Sequence, residues 1–213
     1  MHQAQRYAGQ DIWIIASGPS AGYIDPGFFR GKTVIGVNRT WLHYPVTYIC
    51  LKEHSVLPDA MLHETAQVVV SRYDCGSHSA KQVDINAPCW VFEHEHNTMQ
   101  VVNLDVIGRD PHSLVVSYST ITTAMHLAAH MGAANIILVG HDCGTLDGQY
   151  NYPGYPAPLH QEKYAFYNQF LRDIEPQSLA VRERLQQVYG CRVYSLNPFL
   201  NPGLEGHTWR RTA

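Results

Sequence analysis

The chain has 213 residues, only 15% of them charged, with 13 histidines and 13 tyrosines. That length suits one α/β domain with an insertion at most, large enough to fold without a disulfide or metal staple. A net charge of −3 gives a nucleic-acid backbone no attraction, so nucleic acid is not an expected partner. No run reaches the roughly 18 apolar residues of a membrane span, and the opening MHQAQRYAGQ lacks the basic-then-apolar layout of a secretion signal. Cys50, Cys75, Cys89, Cys143 and Cys191 are an odd number without a C-x-x-C pair. Neither a disulfide framework nor a zinc ribbon is expected, and a reducing cytoplasm is the expected compartment.

The first element is residues 11–16 (DIWIIA), a short apolar run stopped by Ser17-Gly18-Pro19-Ser20, as a buried parallel strand ends in a turn. Residues 33–37 (TVIGV), 46–51 (VTYICL), 67–71 (QVVVS) and 135–140 (NIILVG) repeat the pattern. Continuous apolarity in such short runs implies a sheet covered on both faces. Residues 72–111 are less regular, with weak strands at 89–92 and 101–104, and read as a small insertion or edge feature. Residues 119–131 carry Ile121, Ala124, Met125, Ala128 and Met131 at helical spacing, with Gly132 placed to end the helix. A long Pro-, Gly- and Tyr-rich stretch, residues 143–159, fits no regular element and reads as a lid-like loop. Helical patterns follow at residues 160–174 and 177–189, broken at Glu175-Pro176, and residues 191–196 (CRVYSL) form a late strand. The order predicts a single Rossmann-like α/β domain over residues 1–213: a mostly parallel sheet with helices on both faces.

In such a sheet ligands bind outside the carboxyl ends of the strands. The residues just after each apolar run are therefore the candidates: Ser17, Gly18, Pro19 and Ser20; Asn38 and Arg39; Lys52, Glu53 and His54; His141 and Asp142. The turn at Gly18 lets backbone N–H groups come close to a ligand, and Ser20 can bond a phosphate or ribose. Neither G-x-G-x-x-G nor the G-x-x-x-x-G-K-[ST] phosphate loop is present. Ser117, Ser119, Thr120, Thr122 and Thr123 crowd the start of the helix, more hydroxyls than one N-cap needs. They read either as an anion or sugar site at the helix's positive end or as a solvated first turn. Asp142 occupies a position suited to a metal or ribose, or to capping its own loop. His160 follows the Tyr-rich loop and is the histidine best placed to act as a base. His94 and His96, and His126 and His130, have spacings compatible with metal, but no third ligand is indicated, so no metal site is expected.

Three segments together resemble a known group: IIASGPS at residues 14–20, VIGVNRT at 34–40 and TAMHLAAHMGAANIILVGHD at 123–142. The pattern is similar to the small Rossmann-like bacterial sialyltransferases, to the motility-accessory-factor flagellin glycosyltransferases and to the archaeal hydroxymethylpterin diphosphokinase. The resemblance covers about two thirds of the chain. It implies a nucleotide-activated sugar donor, such as a CMP-sialic-acid-like compound, lying across the strand ends, and a glycan or lipid-linked acceptor. By analogy Gly18, Pro19 and Ser20 line the nucleotide, Asn38 bonds near the donor phosphate or sugar, and Ser119 and Thr120 meet the nucleotide or donor carboxylate. Tyr150, Tyr152 or Tyr155 would hold the leaving phosphate and His160 would serve as base, with no cofactor. The sialyltransferases place an aromatic pair after the Asp, where this chain has Cys143-Gly144. Two other readings stand beside this one. One is a Mg²⁺-dependent diphosphokinase-like transfer with the ion on Asp142 and Glu53; the other is a nucleotide- or sugar-binding module without catalysis.

Overall fold

The computed structural model describes residues 5–74, 81–82, 89–93, 102–109, 112–146, 148–156 and 164–197. Strands β1 (Asp11–Ile15), β2 (Thr33–Val37), β3 (Tyr48–Leu51) and β4 (Gln67–Ser71) come first, with the single-turn helix α1 (Leu57–Ala60) between the last two. A small antiparallel pair, β5 (Tyr73–Asp74) and β6 (Lys81–Gln82), precedes β7 (Trp90–Phe92). Helix α2 (Thr120–His130), strand β8 (Asn135–Val139), helix α3 (Tyr164–Tyr189) and strand β9 (Arg192–Ser195) complete the described elements.

Seven strands form one sheet in the order β7-β4-β3-β2-β1-β8-β9, and every neighbouring pair is parallel. The Rossmann-like class expected from the sequence is the class observed. The chain adds strands outward from β1 to β7 on one side, then crosses to build β8 and β9 on the other. The reversal of strand order therefore falls between β1 and β8, where Ile12 pairs with Ile136 and Ile15 with Val139.

Both faces are covered, which is why the strands need no polar alternation. On one face Ile12, Ile14, Ile35, Val37, Cys50 and Val69 meet α2 through Ile121, Ala124, Met125 and Ala128, and α3 through Val181 and Leu185. On the other, Ile15, Val34, Ile49, Leu51, Val68 and Val70 pack against Phe29, Tyr44, Val56, Ala60 and Tyr152. The helices are unequally shared. Both long ones lie on the first face, and the second is roofed by α1 and by short 3-10 turns at Pro19–Tyr23, Pro26–Phe29 and Thr40–Leu42. The connection leaving β1, residues 16–32, is interrupted by Gly18, Pro19, Gly22, Pro26, Gly27 and Gly31, and that leaving β2 spans only residues 38–47, so neither holds a longer helix.

The structure differs from the sequence reading in three places and sharpens it in a fourth. Strand β3 begins at Tyr48 rather than at residue 46: Thr47 N still donates to the Val34 carbonyl of β2 at 2.8 Å, but Val34 N bonds the Thr47 side-chain Oγ1 at 3.1 Å instead of a backbone carbonyl. The weak strand expected at residues 89–92 is present as Trp90–Phe92, the edge strand of the main sheet, pairing with β4. In place of the strand expected at residues 101–104, Leu104–Val106 is a 3-10 turn capped by Asn103, whose Oδ1 accepts from Asp105 N at 3.0 Å; residue 101 lies outside the described residues. Lastly, α3 runs unbroken through Pro176. Burial of Ile174, Ser178, Val181 and Leu185 outweighs the local preference of Glu175 for extended backbone.

Candidate functional site

The carboxyl ends of β1 and β8 are fastened together. Gly18 N donates to the Gly140 carbonyl at 2.8 Å, and Ala16 N to the Val139 carbonyl at 2.8 Å. The fit requires glycine at both turns. A Cβ on Gly18 would stand 2.6 Å from Asp142 Oδ2, and Gly140 adopts φ +68 with a would-be Cβ 2.6 Å from the Ala16 carbonyl. The Asp142 carboxylate closes this junction. It accepts from Ser20 N at 2.7 Å, and also from the Ser20 hydroxyl and from Asn197 Nδ2. Asn197 Nδ2 donates in addition to the His141 carbonyl at 2.9 Å. Asp142 and Asn197 are both buried. The sequence left Asp142 as a metal- or ribose-binding group or as a cap of its own loop; in the structure its oxygens bond Ser20 and Asn197, fixing the turn at residues 17–20.

One strand over, Asn38 ends β2 in the left-handed region at φ 54, a conformation Asn tolerates better than most side chains. Its backbone N–H donates to the Cys50 carbonyl at 3.1 Å, and its side-chain Oδ1 accepts from Thr120 Oγ1 at 3.4 Å. That contact joins the end of β2 to the first turn of α2. Arg39, next in sequence, caps the Thr40–Leu42 turn without a side-chain bond to it.

The hydroxyls at the α2 start are mostly committed to the protein. Ser119 is the N-cap, its Oγ accepting from Ile121 N at 3.2 Å. Ser117 Oγ accepts from Ser119 N at 3.1 Å and pairs with Thr122 Oγ1 at 2.7 Å. Thr122 Oγ1 donates to the Ser119 carbonyl at 2.9 Å, and Thr123 Oγ1 to the Val115 carbonyl at 2.8 Å. The excess over one cap is explained by a buried network that holds the segment entering the helix, and Thr120 alone of the five reaches across to another strand end.

Lys52, just after β3, is part of the same support. It is buried, and its ammonium donates to the Ser117 carbonyl at 2.6 Å and the Tyr118 carbonyl at 3.0 Å. Beside Tyr118 a cleft of about 420 Å³ opens against α3, lined among the described residues by Tyr118, Asp173, Pro176 and Gln177. That volume lies within the range of about 300 to 1,000 Å³ usual for small-molecule sites. Gln177 Oε1 accepts from Tyr118 N at 3.2 Å, holding the two walls in register.

Of the loop tyrosines, Tyr152 is set in the core with its hydroxyl buried and without a hydrogen-bond partner among the described residues. Its ring meets Tyr44, His43 and Tyr155 edge-on at 5.4, 5.4 and 5.2 Å, and burial raises its pKa. Its backbone N–H donates to the Ser17 carbonyl at 3.0 Å. In this conformation Tyr152 packs and anchors the loop onto the residue 17–20 turn, and its ring is not offered to a ligand. Tyr150 and Tyr155 are half-buried. His160 lies outside the described residues, as do His94, His96 and Cys75.

Two other histidines are structural. His141 is buried, with Nε2 at 2.8 Å from Ser178 Oγ and 3.6 Å from Cys143 Sγ. Burial pushes its pKa down to about 4, so it is neutral at pH 7. His126 accepts from Val115 N at Nδ1, 3.1 Å away, and meets Tyr189 OH at Nε2, 3.2 Å away, so both ring nitrogens are engaged and neither faces His130 as a metal partner. Among the described residues no group of three or more His, Cys, Asp or Glu side chains is arranged to hold a metal, and no helix is long and apolar enough to cross a membrane. Cys50, Cys89, Cys143 and Cys191 are free thiols.

Sequence reasoning missed Lys52 as a support, and it missed Asn197, Tyr118 and Gln177 altogether. The strand-end rule applied to β9 would have found Asn197. Tyr118 and Gln177 had no signal, because 59 residues separate them and neither belongs to a motif.

No family model matches the sequence, and a search of curated proteins finds no match. Among solved structures, the chain is similar to the sialyltransferase CstII from Campylobacter jejuni in complex with cytidine-5'-monophosphate, with a TM-score of 0.48 and 11% identity over 90% of this chain and 81% of that one. It is similar to a Tyr-to-Phe variant of the sialyltransferase CST-II in complex with CMP, at 0.46 and 13% over 89% and 82%. A third similarity is to the monofunctional alpha-2,3-sialyltransferase Cst-I from Campylobacter jejuni, at 0.45 and 14% over 88% and 76%. All three scores are low, so what this strand edge can do chemically follows from the chain's own side chains.

Proposed function

We propose that this chain is a glycosyltransferase whose donor is a sugar activated on a nucleotide, of the CMP-sialic-acid kind, and whose acceptor is a hydroxyl on a glycan or lipid-linked molecule. The observation that carries the reading is convergence on one edge. The turn at residues 17–20, the Asn38–Thr120 contact and the cleft beside Tyr118 all lie at carboxyl ends of strands or at the α2 start, around the reversal of strand order. The sequence resemblance supports the same assignment. In the proposed step the acceptor oxygen bonds to the anomeric carbon as the bond from that carbon to the phosphate oxygen breaks. The electron pair leaves with the nucleotide, Tyr150 or Tyr155 donates a phenol hydrogen bond to the departing phosphate, and His160 takes the acceptor proton.

The Mg²⁺-dependent alternative asks Asp142 and Glu53 to hold the ion. Asp142 does not fit that role, since its oxygens accept from Ser20 and Asn197, and Glu53 is exposed ahead of the 3-10 turn His54–Val56. The binding-module reading shares the same edge and differs only in turnover. Thermal melting with CMP-, UDP-, GDP- and adenine nucleotides, with and without Mg²⁺, separates the classes. A ligand at about 100 times its Kd adds roughly 2.7 kcal/mol, and we expect that shift from a cytidine nucleotide without metal. With the donor so identified, His160→Ala should abolish transfer while leaving donor binding intact. A shift seen only with ATP or GTP plus Mg²⁺, or full transfer by the His160→Ala protein, would sink the proposal.

A further inference from the structure

We propose that two copies of this chain associate into a symmetric dimer, face to face, through the side of β1, β8 and β9 that lies opposite α2 and α3. The proposal is independent of the transferase reading. Side chains alternate across a strand, and Ile12, Ile14, Ile136, Leu138 and Val193 point to the face that carries α2 and α3. Asp11, Trp13, Asn135, Ile137, Arg192 and Tyr194 therefore point to the other. The register sets Asp11, Asn135 and Arg192 side by side in one row, and Trp13, Ile137 and Tyr194 side by side in the next row on that face. Asp11 and Arg192 are exposed, and Trp13 and Tyr194 are half-buried. Leu196, which continues the same alternation beyond β9, is 41% exposed.

The row of charges identifies the occupant of this face as a second copy. Neighbouring strands lie about 4.8 Å apart, so β1 and β9 are equally distant from β8. A two-fold axis along β8, in the plane of contact, exchanges β1 with β9 and keeps every residue at its own level. It sets Arg192 of each copy against Asp11 of the other, one ion pair at each margin. In the next row Trp13 meets Tyr194, and Ile137 meets its own copy on the axis. A contact between identical faces must be self-complementary. This one is, with an anion on one flank, a cation on the other and apolar groups between. Neither charge is used up within its own chain. Asp11 Oδ1 accepts from Asn135 Nδ2 at 2.6 Å, but a carboxylate has about four acceptor sites. The Arg192 guanidinium stands 5.8 Å from the centre of the Tyr194 ring, a contact through the π face that leaves N–H donors at its rim. Trp, Tyr and Arg are also the residue types that dominate binding energy at protein interfaces. Asp11, Asn135 and Arg192 each begin their strand, so the ion pairs form at the end of the sheet away from the candidate site.

Sedimentation equilibrium of the full chain over a wide range of concentrations tests this. We expect a monomer–dimer equilibrium, the mass rising from 24.0 kDa toward twice that value. Arg192→Glu and Asp11→Arg each put like charges opposite one another at both margins, and each alone should weaken the dimer at least about tenfold. Mixed in equal amounts, the two variants present opposite charges at both margins, and the dimer should return. Mixing cannot repair a misfolded chain, so recovery separates a lost contact from a lost fold. The wild type supplies a measurement that needs no variant. Its exposed ion pairs are screened as salt rises from about 0.05 M to about 1 M, and the dimer should weaken with it. A monomer at every concentration overturns the proposal, whether this face then receives a different protein or another segment of its own chain. A dimer that ignores salt and both variants, or variants that stay monomeric when mixed, would place the contact on another surface and overturn it equally.

Discussion

Asp142 joins three parts of the chain: its own strand end after β8, the turn at residues 17–20 and Asn197 after β9. A carboxylate can accept from all of these at once, because it carries no donor. Asn at this position keeps the size but turns an NH₂ toward Ser20 or Asn197, setting donor against donor in a buried place. We therefore expect Asp142→Asn to lower unfolding free energy by roughly 2–4 kcal/mol, the scale of losing charge-assisted bonds and leaving a buried donor unmet. Urea denaturation measures this, and a loss of under about 0.5 kcal/mol would contradict the role assigned to Asp142. The sequence made Asp142 visible as a strand-end carboxylate, open to ligand binding or to capping its own loop, but gave no sign of its bonds to Ser20 and Asn197. Ser20 lies 122 residues away and Asn197 55 residues away, and only the parallel pairing of β1, β8 and β9 brings them together.

At the scale of elements, the strands were legible and their coverings less so. Apolar runs of five or six residues can only be buried strands or pieces of buried helix, and flanking Gly and polar residues decided for strands at 11–15, 33–37, 67–71 and 135–139. The strand at residues 89–92 was only weakly marked, because an edge strand of three residues carries little pattern, and its place beside β4 is a long-range choice. α3 shows tertiary packing overriding a local rule. Its buried face continues on both sides of Pro176, while Pro176 itself is exposed. Proline in a helix interior costs up to about 3 kcal/mol relative to alanine, so Pro176→Ala should raise stability, by about 1–3 kcal/mol once the greater freedom of the unfolded alanine chain is subtracted. Guanidinium denaturation gives the number. A destabilised variant would mean that the helix needs the missing N–H at this position, which is the opposite of what exposure and continuity indicate. The α2 start teaches a related lesson. Its run of Ser and Thr signalled a ligand site as strongly as a cap, and only the bonds among Ser117, Ser119, Thr122 and Thr123 reveal the inward use.

For the whole molecule, the low share of charged residues moves polar work onto histidines, and three of these lie in the interior. Burial lowers the pKa of His126 to about 3, with repulsion from His130 adding to it. Burial lowers His141 to about 4, and His130 is lowered by burial together with the charges of the amino terminus and His112. His126 and His141 are neutral in the folded chain at pH 7 and 6. In the unfolded chain each takes a proton as pH falls through about 6.5. The unfolded state then binds more protons than the folded one, so stability is fully present above pH 6.5 and declines below it, continuing until the folded-state values are reached. The slope is up to about 1.4 kcal/mol per pH unit for each such histidine. Between pH 7 and pH 5 we expect a loss of roughly 2–4 kcal/mol, a large part of the 5–15 kcal/mol of an ordinary domain. The geometry says where the loss begins. Protonating His126 removes the acceptor for Val115 N–H and so loosens the segment that leads through Ser117 and Tyr118 into α2. Denaturation at pH 7, 6 and 5 should show this decline, with amide exchange at Val115 quickening first. His126→Gln, which titrates nothing, should reduce the pH slope by about one proton even though it costs stability at pH 7. A slope unchanged in that variant would place the acid sensitivity elsewhere, and a flat profile in the wild type would show that these histidines accept protons without leaving the core.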